Sequence, residues 1–229
     1  MTPKYTYFLI LTASLIGPLL LSFDRKVSFY KKWKFLFPAM LLPAAFYIVW
    51  DIYFTAEHVW SFNPAYITGI KLINLPVEEV LFFFVIPYCC VFIYECIRCY
   101  FPLLKDGRSS SFILKITGAF LFVTGSIFFH KAYTGYTFVF TGIFIAILFI
   151  YRKYFVNFHI TTFLTSFIIS LFPFLIVNGF LTAIPVVMYN DAENLGIRIY
   201  RIPLEDVFYG MLLIMINITI YEKLKTQAI

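Results

Sequence analysis

The sequence LPVEE at residues 75–79 places two adjacent acidic residues where a polar loop meets a long apolar run. A near copy, IPLED, stands at residues 202–206 and is followed by another apolar run. Proline is favoured in the first turn of a helix, since its missing N–H group would have no partner there. Each motif therefore predicts the beginning of a membrane helix that carries carboxyl groups in its opening turn.

The composition around these motifs predicts an integral membrane protein. Of the 229 residues, 62% are hydrophobic and only 13% are charged, which is too little polar surface to face water on all sides. The net charge of +6 does not indicate nucleic-acid binding, because the basic residues lie in short loops between apolar runs.

Seven apolar runs have the length of a membrane span, roughly 17 to 25 residues. The predicted spans are residues 5–23, 35–54, 76–94, 112–130, 134–151, 161–187 and 203–221.

Basic residues predict the orientation of these spans. Thirteen of them fall on one side of the predicted bundle, and five fall on the other, namely Lys4, Lys71, Lys131, Arg198 and Arg201. Because cytoplasmic loops carry the excess of Lys and Arg, the N-terminus is expected outside and the C-terminus in the cytoplasm. The expected location is the cytoplasmic membrane of a bacterium, which the chain crosses several times.

A shift of 127 residues superposes the two halves of the chain. It places Pro203 on Pro76, and the same shift matches the acidic pairs and the residues Asn63 with Asn190 and Gly69 with Gly196. We therefore predict an all-α fold in a 3+1+3 arrangement, with three-span repeats at residues 1–101 and 132–229 and a connecting span at 102–131. Three spans end on the opposite side of the membrane from where they begin, so the connecting span gives the second repeat the same orientation as the first. Both acidic motifs are therefore expected at one face of the membrane, near the pseudo-twofold axis.

The acidic residues are the candidate catalytic groups. Neighbours on a helix point about 100° apart, and we expect Glu78 and Glu205 to face the bundle centre, with Glu79 and Asp206 behind them. Helix N-termini attract acidic residues whatever their function, but burial in apolar surroundings favours the protonated acid much more strongly, and such a group is a usable Brønsted acid. Asp51, inside span two, is a further candidate because an intramembrane carboxyl is costly.

Other motifs predict little chemistry. Cys96 and Cys99 have CxxC spacing without a second pair, and the three histidines are scattered over both sides, so no metal site is expected. The chain has no Gly-rich dinucleotide or P-loop motif, and no cofactor is expected. The segment WSFNPAY at residues 60–66 is interpreted as an interfacial aromatic belt in preference to a cap over the site.

Two long stretches resemble the two halves of the small integral-membrane lycopene cyclases, here fused in one chain. They are WDIYFTAEHVWSFNPAYITGIKLINLPVEEVLFFFVIPY at residues 50–88 and YNDAENLGIRIYRIPLEDVFYGMLL at residues 189–213. The resemblance implies acid-catalysed, redox-neutral cyclisation of lycopene or a related acyclic carotenoid to β-rings in the lipid membrane. Glu78 or Glu205 would be the acid, and the opposite carboxylate or Asp51 the base. The expected substrate contacts are Trp60, Asn63, Phe82, Phe83, Phe84, Tyr88, Asn190 and Tyr209.

Several alternatives stay open at this point. Formation of ε-rings or cyclisation of a C50 carotenoid is the nearest, and association into a homo-oligomer is undecided. Small sugar transporters also use a 3+1+3 arrangement, although their proline–glutamine motif is absent. A retinal-binding photoreceptor is disfavoured, since no lysine lies between Val207 and Tyr221.

Overall fold

The computed structural model describes residues 3–155 and 157–227 of the chain. Within this part, seven helices are long and apolar enough to cross a membrane, which confirms the predicted number of spans. They are α1 (Thr6–Leu21), α2 (Trp33–Ala56), α3 (Val77–Tyr100), α4 (Arg108–Ile127), α5 (Ala132–Ile150), α6 (Ile160–Ala183) and α7 (Leu204–Gln227). The predicted fourth span extended too far, because α4 ends at Ile127. The predicted sixth span also extended too far, since α6 ends at Ala183 and Val187 begins β4.

Six short strands lie at one end of the helix bundle. They are β1 (Trp60–Phe62), β2 (Lys71–Leu72), β3 (Leu75–Pro76), β4 (Val187–Tyr189), β5 (Arg198–Ile199) and β6 (Ile202–Pro203). Strands β2 and β3 form one hairpin and β5 and β6 a second, each leading directly into a helix. Strand β1 pairs with β4, which joins the two halves of the chain.

The β1–β4 pair locates the axis that relates the halves. Its antiparallel register pairs Ser61 with Met188, and these two residues are equivalent under the repeat shift. Exchanging the halves therefore maps the strand pair onto itself, as a twofold axis through its centre requires. Helices α2 and α6 are equivalent in the repeat, and both end beside this strand pair, so they point in the same direction. The axis therefore runs along the helices, and the two repeats are parallel.

Unusual backbone conformations recur at equivalent positions in the two halves. Gly69 and Gly196 have φ angles of 90° and 73°, and Ile73 and Tyr200 have φ angles of 61° and 60°. Non-glycine residues seldom adopt positive φ, so the shared conformation shows that the hairpins before α3 and α7 are built alike. The limits of the repeats, 1–101 and 132–229, stay a prediction.

The two halves interlock through their second helices. Helix α1 packs on α3 and α5 packs on α7 within each half, whereas α2 packs on α7 and α6 packs on α3 across the halves. Helix α4 lies outside this arrangement, mainly against α5. The third helices, which carry the acidic motifs, are thereby brought to the centre of the molecule.

Buried ion pairs close the bundle at the end remote from the strands. Glu95 on α3 is paired with Lys32 and Lys225, and Glu222 on α7 is paired with Arg98 and Lys225. Glu95 and Glu222 are equivalent under the repeat shift. This network connects α3 and α7 to each other and to the segment that precedes α2.

Candidate active site

A cavity lies between α3, α6 and α7, directly beneath the β1–β4 pair. The space not occupied by atoms is about 730 Å³, including open solvent at the mouth. Along α6 the lining extends from Leu181 to Phe167, a distance of about 21 Å at 1.5 Å per residue. Apart from one end, the walls are mostly apolar.

Three carboxyl groups line that end of the cavity, and each comes from a different helix. Asp51 on α2, Glu79 on α3 and Asp206 on α7 are only 1%, 8% and 4% exposed. The acidic motifs of both halves therefore contribute to one site at one face of the bundle. Asp51, a candidate from the sequence, is buried and belongs to the cavity lining.

Each of these carboxyl groups accepts a hydrogen bond from a tyrosine hydroxyl. Tyr209 donates to Asp51, Tyr7 donates to Glu79 and Tyr133 donates to Asp206. Tyr7 and Tyr133 are each the second residue of their helix, α1 and α5. In both halves, therefore, a tyrosine at the beginning of the first helix donates a hydrogen bond to the carboxyl group that faces the cavity.

Asp206 has two further donors. Its Oδ2 atom accepts a hydrogen bond of 2.8 Å from Tyr189 Oη and one of 3.3 Å from Asn178 Nδ2. Burial, and then the negative charge of Asp206, raise the pKa of the Tyr189 hydroxyl well above its usual range. Tyr189 therefore stays a neutral hydrogen-bond donor at physiological pH.

The orientation expected within each acidic pair was wrong, since Glu79 and Asp206 face the cavity and Glu78 and Glu205 do not. Glu78 Oε1 accepts a hydrogen bond of 2.7 Å from the backbone N–H of Thr68, and Glu205 Oε1 accepts one of 2.8 Å from that of Leu195. The loops before α3 and α7 fold back over the first helical turn, and their partly buried N–H groups need an acceptor. Glu78 and Glu205 satisfy that need and so hold the loops in place.

Aromatic rings surround the acidic end of the cavity. The centroid of the Tyr133 ring lies 5.1 Å from that of Trp60, 5.9 Å from that of Tyr189 and 6.1 Å from that of Tyr209. We call Trp60, Tyr133, Tyr189 and Tyr209 the aromatic box. The interpretation of residues 60–66 as an interfacial belt was wrong at Trp60, which is 5% exposed and covers the cavity as part of β1.

The other expected substrate contacts are divided between the cavity and the rest of the fold. Trp60, Phe82 and Tyr209 belong to the lining. Five residues lie outside it in the part of the chain that the structure describes, and they are Asn63, Phe83, Phe84, Tyr88 and Asn190.

Several of these five have evident structural roles. Asn63 and Asn190 accept hydrogen bonds from the backbone N–H groups two residues ahead of them, which shapes equivalent turns. Tyr88 is hydrogen-bonded to Ser22 at 2.6 Å, a contact between α3 and the residue that follows α1. In the structure these three side chains bind local backbone or a neighbouring helix and lie outside the cavity lining.

Four polar residues of the site were missed in the sequence, namely Tyr7, Tyr133, Asn178 and Tyr189. The repeat shift places Asn178 at the position of Asp51, and that equivalence is the signal that would have found it. Tyr7 and Tyr133 are separated by 126 residues, one fewer than the shift that aligns the acidic motifs, so the repeat did not align them.

Within residues 3–155 and 157–227, no group of three or more His, Cys, Asp or Glu side chains is arranged to hold a metal ion. Cys96 and Cys99 are free thiols near the end of α3.

Comparison with known proteins identifies the family. A family model described as lycopene cyclase matches the chain over residues 4–97 and 130–224, which include both acidic motifs and most of both halves. Neither a curated protein nor a solved structure matches the chain. The chain therefore belongs to the lycopene cyclase family, and it is a multi-pass membrane enzyme that cyclises a carotenoid.

Proposed function

We propose that the enzyme cyclises the acyclic ends of lycopene, or of a closely related carotenoid, to β-rings inside a bacterial cytoplasmic membrane. The observation that supports this best is the convergence of three buried, tyrosine-bonded carboxyl groups on one apolar cavity. A hydrocarbon substrate offers no hydrogen-bonding groups, so an apolar cavity is the environment that it requires. The only polar groups needed are those that move a proton.

The reaction is an isomerisation in which atoms and electrons balance without a second reactant. A carboxylic acid adds a proton to the terminal C=C bond, which leaves a tertiary carbocation. The next double bond attacks that cation and closes a six-membered ring. A carboxylate then removes a proton from the ring carbon next to the chain, and the new ring double bond forms there.

We assign the acid to Glu79 and the base to Asp206. Hydrogen bonds from donors stabilise a carboxylate over its protonated form, and Asp206 has three such donors. Glu79 has Tyr7 as its one donor among the described residues, and we therefore assign it as the proton donor of the pair. Asp51 lies beside both groups and supports the exchange that returns the proton to Glu79.

The aromatic box stabilises the carbocation. Ring faces attract a cation by about 2 kcal/mol when the site is desolvated, and Trp60, Tyr133 and Tyr209 are all buried. The β1–β4 pair also keeps water away from the carbocation. Water would otherwise add to the cation and form an alcohol. An apolar, aromatic site is therefore part of the chemistry as well as of the binding.

The orientation inferred from basic residues belongs to the same proposal. The strand-covered end of the bundle would face outward and the end with the ion-pair network would face the cytoplasm. The acidic site would then lie near the outer face of the membrane.

Expression in a bacterial host that accumulates lycopene tests this function. Membranes from this host, grown in ordinary water, are then incubated in D₂O buffer with unlabelled lycopene, and the pigments are separated by chromatography and examined by mass spectrometry. We expect conversion of lycopene to cyclic carotenes that carry deuterium from the solvent-exchangeable acid. A matched culture with Asp206→Asn should retain lycopene. Unconverted lycopene despite normal amounts of wild-type protein in the membrane would contradict the proposal, and ε-rings alone would contradict the assigned ring type.

A further inference from the structure

The repeat shift relates the cavity, which lies between α3, α6 and α7, to a position between α7, α2 and α3. The wall of the cavity includes Phe174 on α6 and Gly210 on α7. The repeat shift places Tyr47 on α2 at the position of Phe174, and Phe83 on α3 at the position of Gly210. One half thus has a phenylalanine where the other has no side chain.

Side chains fill the equivalent space between α7, α2 and α3. Tyr47 and Phe83 are both 0% exposed, and their ring centroids lie 5.5 Å apart. Tyr47 also packs on the Tyr209 ring at 4.7 Å between centroids and donates a hydrogen bond of 3.0 Å to the backbone carbonyl of Tyr209. This interlocked group leaves no room for a second substrate end.

Glycine keeps the space open in the cavity itself. A Cβ atom at Gly210 would lie 3.6 Å from Cε2 of Phe174, so a methyl group fits there, whereas a larger side chain would extend into the cavity. Val207, Gly210, Leu171 and Phe174 are all partly exposed, whereas Tyr47 and Phe83 are not. Their exposure places the mouth of the cavity between α6 and α7, on the surface that faces lipid.

We propose that the enzyme has one end-group site instead of two, and that Gly210 is the residue that opens it. This inference rests on the proposed function, because it concerns how the carotenoid enters the same site. One end of the substrate is cyclised while the rest of the molecule extends toward lipid. A bicyclic product then requires release of the monocyclic carotene and entry of its other end.

Substitution of Gly210 tests the opening of the site. In purified protein, wild type should bind one carotenoid per chain, measured as the ratio of pigment to protein absorbance. Gly210→Phe should reduce binding and turnover by about 100-fold, with Gly210→Leu intermediate. The matched control is Gly17→Phe, since Gly17 is exposed on α1 and has no atom within 4 Å of an added Cβ. Wild-type binding and turnover by Gly210→Phe would overturn the proposal, as would two carotenoids bound per wild-type chain.

A second measurement follows the order of products. With lycopene in excess, the monocyclic carotene should appear first and should accumulate before the bicyclic product. Direct formation of the bicyclic product without free monocyclic carotene would contradict a single site. If Gly210→Phe does not fold, as shown by its elution profile and thermal stability, the Gly210→Leu variant and the product order still decide the question. Failure of wild type to cyclise any carotenoid would refute the proposed function, while the number of pigments bound would still test the single site.

Discussion

Glu78 and Glu79 are neighbours at the beginning of α3, but their carboxyl groups have different partners. Glu78 accepts a backbone hydrogen bond from Thr68, whereas Glu79 faces the cavity and accepts one from Tyr7. Glutamine retains the carbonyl acceptor of glutamate but has no acidic proton. The same substitution at the two positions therefore separates a structural role from a chemical one.

We expect Glu79→Gln to lower the cyclisation rate by about 100-fold or more, the usual contribution of a general acid. Glu78→Gln should retain most of the activity, because its amide oxygen still accepts the Thr68 N–H. Both are measured as carotene formed per unit of membrane-inserted enzyme. Loss of activity in Glu78→Gln with a normal rate in Glu79→Gln would reverse the assignment.

Tyr133 positions the proposed base. Its hydroxyl donates to Asp206, and a hydrogen bond to a charged group contributes about 1.5–3 kcal/mol. We expect Tyr133→Phe to lower the cyclisation rate by about 10- to 100-fold, because its ring still packs in the aromatic box but the donor is lost.

The control for that change is Tyr88→Phe, which removes a hydroxyl that bonds Ser22, outside the cavity lining. Its turnover should stay close to wild type. Equal losses in the two variants would indicate a general effect on packing and would remove Tyr133 from the mechanism.

At the scale of elements, α4 is held against α5 by glycines. A Cβ atom at Gly142 would lie 2.8 Å from the Gly118 carbonyl oxygen and 3.0 Å from the Phe122 backbone nitrogen. Backbone atoms cannot move aside as side chains do, so even a methyl group separates the two helices. This close approach explains how α4, which has no counterpart in the repeat, is attached to the bundle.

We expect Gly142→Ala to destabilise the protein by about 1–3 kcal/mol, even though alanine favours helix formation by about 1 kcal/mol. Gly17→Ala, at an exposed position on α1, should be neutral or stabilising. Thermal unfolding of both variants in detergent provides the comparison. A Gly142→Ala variant as stable as Gly17→Ala would show that the α4–α5 contact is loose.

At the scale of the whole molecule, the basic residues predict which end faces the cytoplasm. Lys71 lies exposed at the strand-covered end and Lys153 lies exposed in the loop between α5 and α6. In a background without the four native cysteines, Lys71→Cys should react with a membrane-impermeant maleimide in intact cells. Lys153→Cys should react only after permeabilisation, and the opposite labelling pattern would invert the orientation.

The sequence by itself determined much of the architecture. The length and apolarity of seven runs are local properties, and the bilayer imposes them on any spanning helix. The 127-residue repeat and its unpaired fourth span gave the 3+1+3 arrangement in the same way. The family also followed from the sequence, because both acidic motifs and their flanking residues are continuous stretches.

Only the tertiary structure decided which carboxyl groups meet in the cavity. The choice between Glu78 and Glu79 depends on where the preceding loop directs its N–H groups, and Thr68 lies ten residues away along the chain. The tyrosine donors and the aromatic box depend on contacts between distant segments, such as Tyr209 with Asp51, and so does the difference between the cavity and its repeat-related position. Hydropathy and repeat patterns record which residues are buried, but the direction of a side chain is determined by packing against helices that no local pattern specifies.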